Sequence, residues 1–223
     1  MAYSLPLLFF FACGLLSASL SFSIAYLMFK SWQLVRLDYL LGFPAGFSLL
    51  ALAFVIGDMA YAFPLASIWN WASLLLGSWG FAFLVVTYFR RYGPAETDES
   101  RSTELAFGVV GVSTFASLGF ILLLSSALPD YLGAELVFRV INLVLLGYII
   151  LSLNRALKAE VELSAVVLGF TFLAIEQSSL FLHTLDRAFV WSVIFAQLVR
   201  IAGLFILTVF LVRGFQSPER KGT

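Results

Sequence analysis

Long apolar segments alternate with short polar breaks along almost the whole chain. Most of these segments have about the length that an α-helix needs to cross a hydrocarbon layer of about 30 Å, which is about 20 residues. Hydropathy predicts seven such spans, at about Leu5–Phe29, Tyr39–Phe63, Ile68–Phe89, Leu105–Leu128, Leu136–Leu153, Val161–Leu182 and Ala188–Val212. The predicted fold class is therefore an all-α integral membrane protein, a single seven-transmembrane-helix bundle over residues 1–223.

Basic residues are concentrated in alternate breaks of this pattern. The first, third and fifth breaks and the C-terminal tail hold Lys30, Arg36, Arg90, Arg91, Arg101, Arg155, Lys158, Arg213, Arg220 and Lys221. The other side keeps Arg187, and Arg139 lies just inside the fifth span. Positive charge marks the cytoplasmic side, so the N-terminus is predicted outside, the C-terminus inside, and the plasma (cytoplasmic) membrane is the expected location.

The composition agrees with a membrane protein. Of 223 residues, 61% are hydrophobic and 12% are charged, whereas a soluble domain carries about 25% charge. The single Cys13 excludes a disulfide framework, and the single His183 excludes paired histidine ligation of haem or copper by this chain. No metal site is predicted, the lipid bilayer is the expected environment, and nucleic acid is not an expected partner.

The first and last parts of the sequence also resemble each other. A shift of 123 residues aligns "GFSLLA" (46–51) with "GFTFLA" (169–174), and a shift of 122 extends the match across the breaks after the first and fifth spans. The first shift pairs Gly80 with Gly203, Leu84 with Leu207, Val86 with Val209 and Arg90 with Arg213. The pattern predicts two copies of a three-helix unit, over 5–91 and 134–214, joined by a linking helix at 105–128. Because one helix separates the units, they form a parallel internal repeat.

This 3+1+3 plan with an external N-terminus resembles that of microbial rhodopsins and SWEET sugar transporters. The resemblance covers the whole chain and concerns architecture, since the sequence contains no diagnostic motif of either family. A retinal protein needs a lysine in its last helix, and the seventh span has none. Lysine occurs only in breaks or in the tail, at Lys30, Lys158 and Lys221. Covalently bound retinal is therefore excluded, and no other cofactor is expected.

Polar residues nevertheless lie in the outer halves of several spans, often three residues apart on one helical face. A charged side chain facing lipid costs about 2.5–3.5 kcal/mol or more, so these faces are expected to turn inward and pair. The acids Asp58 and Glu176 balance the bases Arg139 and Arg200, and Glu176 is expected to meet one of the two arginines. The predicted ligand-binding or buried polar cluster is Asp58, Tyr61, Asn70, Arg139, Asn142, Glu176, Gln177, His183, Gln197 and Arg200.

Two interpretations of this cluster stay open. In the first it is purely structural, because interhelical polar contacts stabilise membrane proteins by about 0.6 kcal/mol on average and a satisfied pair needs no ligand. Alternatively, it is a site for a small molecule or ion that is open to the outside.

Catalysis is not predicted. The residues "GD" at 57–58 resemble only part of an intramembrane aspartyl protease or ether-lipid hydrolase motif. Ser178, Ser179 and His183 lack a nucleophile-elbow context.

The leading hypothesis is a non-enzymatic module, either an opsin-like sensor without retinal or an accessory subunit of a membrane complex. No output domain accompanies the spans, so the module is expected to work with a protein partner or a second copy of itself. The alternative is a small-solute transporter of the 3+1+3 type, with Glu176 as a proton-linked carboxylate. Transport comes second because the inner halves of spans two, three, six and seven are almost purely apolar.

Overall fold

The computed structural model describes residues 4–62, 66–92, 131–157, 163–186 and 190–216. This part of the chain forms six α-helices and a short 3₁₀ turn at Asp38–Leu41. The helices are α1 (Ser4–Val35), α2 (Gly42–Ala62), α3 (Ala66–Tyr92), α4 (Tyr131–Leu157), α5 (Ser164–Leu185) and α6 (Val190–Gln216). All except α2 are long and apolar enough to cross a membrane, which indicates a helical integral membrane protein. The predicted linking helix at 105–128 lies outside the described residues.

The six helices form a ring in which α1 packs against α2, each helix packs against the next, and α6 returns to α1. Helices α3 and α4 run in the same direction, because Trp71 contacts Tyr131 near their starts and Phe89 contacts Tyr148 further along. We call the end of the ring at which α3 and α4 begin the first end, and the opposite end the second end.

Apolar side chains both fill the ring and cover its outside. The buried set comes from all six helices and includes Ile24, Leu50, Leu84, Leu146, Phe170 and Leu204. Large exposed apolar side chains also occur on every helix, among them Phe11, Leu52, Phe89, Val144, Leu182 and Phe205. Contiguous apolar surface on this scale is unusual for a soluble monomer, whereas hydrocarbon is a suitable solvent for it.

Helices α1 and α4 extend beyond the predicted spans into more polar parts of the sequence. Helix α1 continues to Val35 instead of ending at Phe29. The residue that follows it, Arg36, has a left-handed φ of 57° and donates its N–H to the Trp32 carbonyl oxygen at 2.7 Å. Helix α4 begins at Tyr131 instead of Leu136. Hydropathy detects only the part of a helix that lies in hydrocarbon, so it stops early wherever a helix extends into the polar layer.

Two pairs of helices approach each other closely at glycines. A Cβ added to Gly80 in α3 would lie 3.0 Å from the carbonyl oxygen of Gly46 in α2, and a Cβ added to Gly203 in α6 would lie 2.9 Å from the carbonyl oxygen of Gly169 in α5. Leu84 of α3 lies against Gly46, and Leu207 of α6 lies against Gly169. The same residue types occur in both contacts at positions 123 residues apart: Gly46 and Gly169, Gly80 and Gly203, Leu84 and Leu207.

Candidate functional site

A cavity of about 180 Å³ lies inside the ring, in the half nearer the first end. Its walls come from α2 to α6 and combine small or apolar residues with polar side chains. Eight members of the predicted polar cluster line it: Asn70, Arg139, Asn142, Glu176, Gln177, His183, Gln197 and Arg200. The backbones of Asp58 and Tyr61 belong to the last turns of α2, and their side chains lie outside the described part of the structure.

One side of the cavity is organised around the guanidinium group of Arg200. Its Nη1 lies 3.6 Å from the Oε1 atom of Glu176, and both residues are buried, with 6% and 1% of their surface exposed. Its Nε donates a hydrogen bond to Ser17 Oγ at 2.9 Å, and its Nη2 donates to Gln197 Oε1. The guanidinium carbon lies 4.2 Å from the ring centroid of Phe54, in cation–π range. Arg200 therefore connects α6 to α1, α2 and α5.

Ser17 can accept this hydrogen bond because its own proton is already used. Its hydroxyl donates to the carbonyl oxygen of Cys13 at 2.7 Å, one turn earlier in α1. A serine hydroxyl has one proton and two lone pairs, so this arrangement fixes the proton and leaves an acceptor for Arg200.

A second group of contacts surrounds Arg139 in α4. Its Nη1 donates to Gln177 Oε1 at 3.0 Å, and its Nη2 lies 3.2 Å from Glu135 Oε1 in an ion pair one turn apart. Asn142 donates from Nδ2 to the same Gln177 oxygen at 3.3 Å. Successive residues of a helix point about 100° apart. For this reason Glu176 reaches α6 while its neighbour Gln177 reaches α4.

Three polar atoms of the lining residues have no hydrogen-bond partner among the described residues. They are Oε2 of Glu176, Oδ1 of Asn142 and Nε of Arg139, and all three are buried. Buried polar atoms are nearly always hydrogen-bonded in proteins, and leaving one unsatisfied costs about 1–3 kcal/mol. The residues of the cavity wall thus carry two acceptors and one donor that remain unsatisfied among the described residues.

The structure adds an acid to the predicted set of charged residues, together with contacts that the sequence did not single out. The prediction set Asp58 and Glu176 against Arg139 and Arg200, whereas the ion pair observed at Arg139 is with Glu135. The spacing of Glu135 and Arg139 signals such a pair, but only once α4 is known to include both. Nothing in the sequence marks Ser17 or Phe54 as a neighbour of Arg200, because both are distant along the chain.

Within the described ranges, no group of three or more His, Cys, Asp or Glu residues is arranged to hold a metal ion. Comparison with protein-family models, with curated proteins and with solved structures gave no match. The functional argument therefore depends on the site itself, as fold alone does not determine function.

Proposed function

We propose that this protein is a non-enzymatic seven-helix membrane module that binds a small polar molecule in the cavity near its first end. Binding would act as a signal to a partner protein, in a sensor or an accessory subunit. The observation that carries the proposal is the set of three unsatisfied buried polar atoms on the cavity residues. A cluster that only held helices together would be expected to satisfy its own atoms.

The charged groups of the cavity also favour binding over catalysis. Arg200 is paired with Glu176, and Arg139 is paired with Glu135. Carboxylates and guanidinium groups held in this way position a ligand well. A catalytic site would instead need a nucleophile and an acid or base that converge on one reacting atom, and no such group is apparent among the described lining residues.

Seven spans and the predicted orientation form part of the proposal. Helices α3 and α4 run in parallel, so the chain between Tyr92 and Tyr131 has to return to the first end. The linking helix predicted at 105–128 would make this crossing, as the fourth of seven spans. With the distribution of basic residues, this plan puts the first end and its cavity on the outside of the plasma membrane.

The internal repeat is proposed on the same basis. It relates α1, α2 and α3 to α4, α5 and α6, and the equivalent glycine contacts in the two halves support it. Phe47 and Phe170, also 123 residues apart, have ring centroids 6.5 Å apart inside the ring. Equivalent residues meet in this way when a pseudo-two-fold axis passes between them.

Native mass spectrometry of the protein extracted gently from its own membrane tests the binding function. We expect a bound small molecule that is absent from an Asn142→Leu variant, because this change removes the free Oδ1 acceptor and leaves both ion pairs in place. Asn154→Leu, an exposed position on the same helix, is the control and should retain the molecule.

Two outcomes would contradict the binding function. One is a bare protein in all three samples, which would mean that the cavity holds only water. The other is a co-purifying protein partner with no small molecule in any sample. In that case the protein would be an accessory subunit, and the polar cluster would serve its architecture.

Transport is the second candidate, and one observation favours it. A further cavity of about 300 Å³ lies towards the second end, with walls from all six helices and with Phe47, Tyr88 and Phe170 among its lining. Two cavities along one axis are what a substrate path requires. The lining of this second cavity is mostly apolar, which would make the passage of a polar solute costly, so transport ranks second.

If transport is correct, Glu176→Gln should abolish proton-linked uptake of the bound molecule into proteoliposomes, because the variant cannot carry the proton. Glu135→Gln is the matched control, since its carboxylate lies in the same cavity but does not contact Arg200. Unchanged uptake in Glu176→Gln would remove Glu176 from the mechanism.

A further inference from the structure

One difference between the two halves of the ring, at two equivalent positions that face each other, lies in the cavity wall. Ala53 of α2 and Gly77 of α3 face each other, since a Cβ added to Gly77 would lie 3.9 Å from the Ala53 Cβ. The residues 123 positions later are Glu176 and Arg200, which face each other across α5 and α6. One half therefore carries two of the smallest residues where the other half carries two long charged side chains.

Ala53 and Gly77 supply space without adding polarity. Both line the cavity, and larger side chains at these positions would extend into it. The nearby Ser73 hydroxyl donates to the Ala53 carbonyl oxygen at 2.8 Å, so its proton is already engaged. The three unsatisfied atoms of the described cavity residues lie instead on α4 and α5.

The charges of the cavity indicate what kind of molecule it accepts. The four charged side chains of its described lining form two ion pairs, Glu135 with Arg139 and Glu176 with Arg200, so their formal charges cancel. An ionic ligand would bring an uncompensated charge into this buried site, which is costly. A neutral ligand has no such cost, and it can serve the free acceptors of Glu176 and Asn142 and the free donor of Arg139.

We propose that the cavity binds a small uncharged solute that both donates and accepts hydrogen bonds, and that Ala53 and Gly77 provide the room for it. This inference rests on the proposed binding function, because it names the ligand class of the same cavity. The size of the cavity limits the ligand to a few non-hydrogen atoms, well below the 300–1,000 Å³ range typical of sites for drug-sized ligands.

Two pairs of probes with matched shape and different charge test the ligand class. Urea and guanidinium are both planar and trigonal, and acetamide and acetate differ little in size. Calorimetric titration of the protein in lipid nanodiscs should show that the neutral member of each pair binds about tenfold more tightly than the ionic member. The opposite preference in both pairs would overturn the ligand class and leave the binding function intact.

Filling the cavity tests the role of Gly77. We expect Gly77→Leu to weaken urea binding about tenfold. Gly147→Leu should leave it unchanged, because no described residue lies within 4 Å of a Cβ added there. Gly77→Ala adds only an ordinary contact with Ala53 and is the fallback if the leucine variant does not fold; it should weaken binding less. If no probe binds and Gly77→Leu retains every co-purified molecule, both this inference and the binding function fail.

Discussion

Arg200→Ala is expected to lower the free energy of unfolding by about 3–5 kcal/mol, because it leaves a buried carboxylate without its ionic partner. Glu176 is 1% exposed, and Arg200 is its ion-pair partner in the described part of the chain. The same change removes the hydrogen bond to Ser17 and the cation–π contact with Phe54. Several helices would therefore lose a shared contact at once.

Glu176→Gln is expected to cost much less, in the range of about 0.6–2 kcal/mol for interhelical polar contacts. The arginine keeps Ser17, Gln197 and the Phe54 ring, and glutamine can still accept a hydrogen bond through its side-chain oxygen. Unfolding in mixed detergent micelles would measure both variants, with Arg155→Ala at an exposed position as the control for loss of an arginine. A loss for Arg200→Ala no larger than that for Arg155→Ala would contradict the pairing.

A double variant separates the contribution of the ion pair to stability from that of the other contacts of Arg200. Arg200→Met together with Glu176→Gln removes both charges and keeps similar side-chain volumes, so it should recover most of the stability that Arg200→Ala loses. Recovery would mean that the ion pair is not required for folding and is retained for another reason, such as ligand binding. A double variant as unstable as Arg200→Ala would instead make the hydrogen bonds of Arg200 the main source of stability.

The sequence predicts some of these contacts for clear physical reasons. A carboxylate in an apolar span has to find a base, which limits the partners of Glu176 to Arg200 or Arg139. The choice between them depends on which face of α5 meets which neighbour. Glu176 turns towards α6 and Gln177 turns towards α4, so the adjacent residues take different arginines. Helical periodicity gives the angle between the two residues but not the position of the neighbouring helices.

Other contacts depend on tertiary structure that no local pattern contains. Ser17 meets Arg200 because α1 closes the ring against α6, although the two residues are 183 positions apart. Glu135 was missed for a local reason, since hydropathy placed it in a break one residue before the predicted span. Long apolar runs in the sequence predict the membrane class of the fold. The cavity depends on small residues, and the sequence does not distinguish small residues that leave a cavity from small residues that let helices pack closely.

Gly203→Ala is expected to reduce stability by about 1–3 kcal/mol, the usual cost of overpacking a close contact. The new Cβ would lie 2.9 Å from the carbonyl oxygen of Gly169 and 2.9 Å from the Cβ of Phe172. Neither atom can rotate away, because one belongs to the backbone and the other is attached directly to it. Helices α5 and α6 would have to separate, and the Glu176–Arg200 pair less than two turns away would be displaced with them.

The opposite sign is expected for Gly147→Ala, where an added Cβ meets nothing within 4 Å in the part of the chain that the structure describes. Alanine is favoured over glycine inside a helix by up to about 1 kcal/mol, so this control should be neutral or stabilising. The proposed repeat adds a sharper condition, because it would make Gly80 the equivalent of Gly203, and a Cβ added to Gly80 would lie 3.0 Å from the Gly46 carbonyl oxygen. If the halves are copies, Gly80→Ala should destabilise the protein by a similar amount. A loss confined to one half would argue that the two glycine contacts are unrelated.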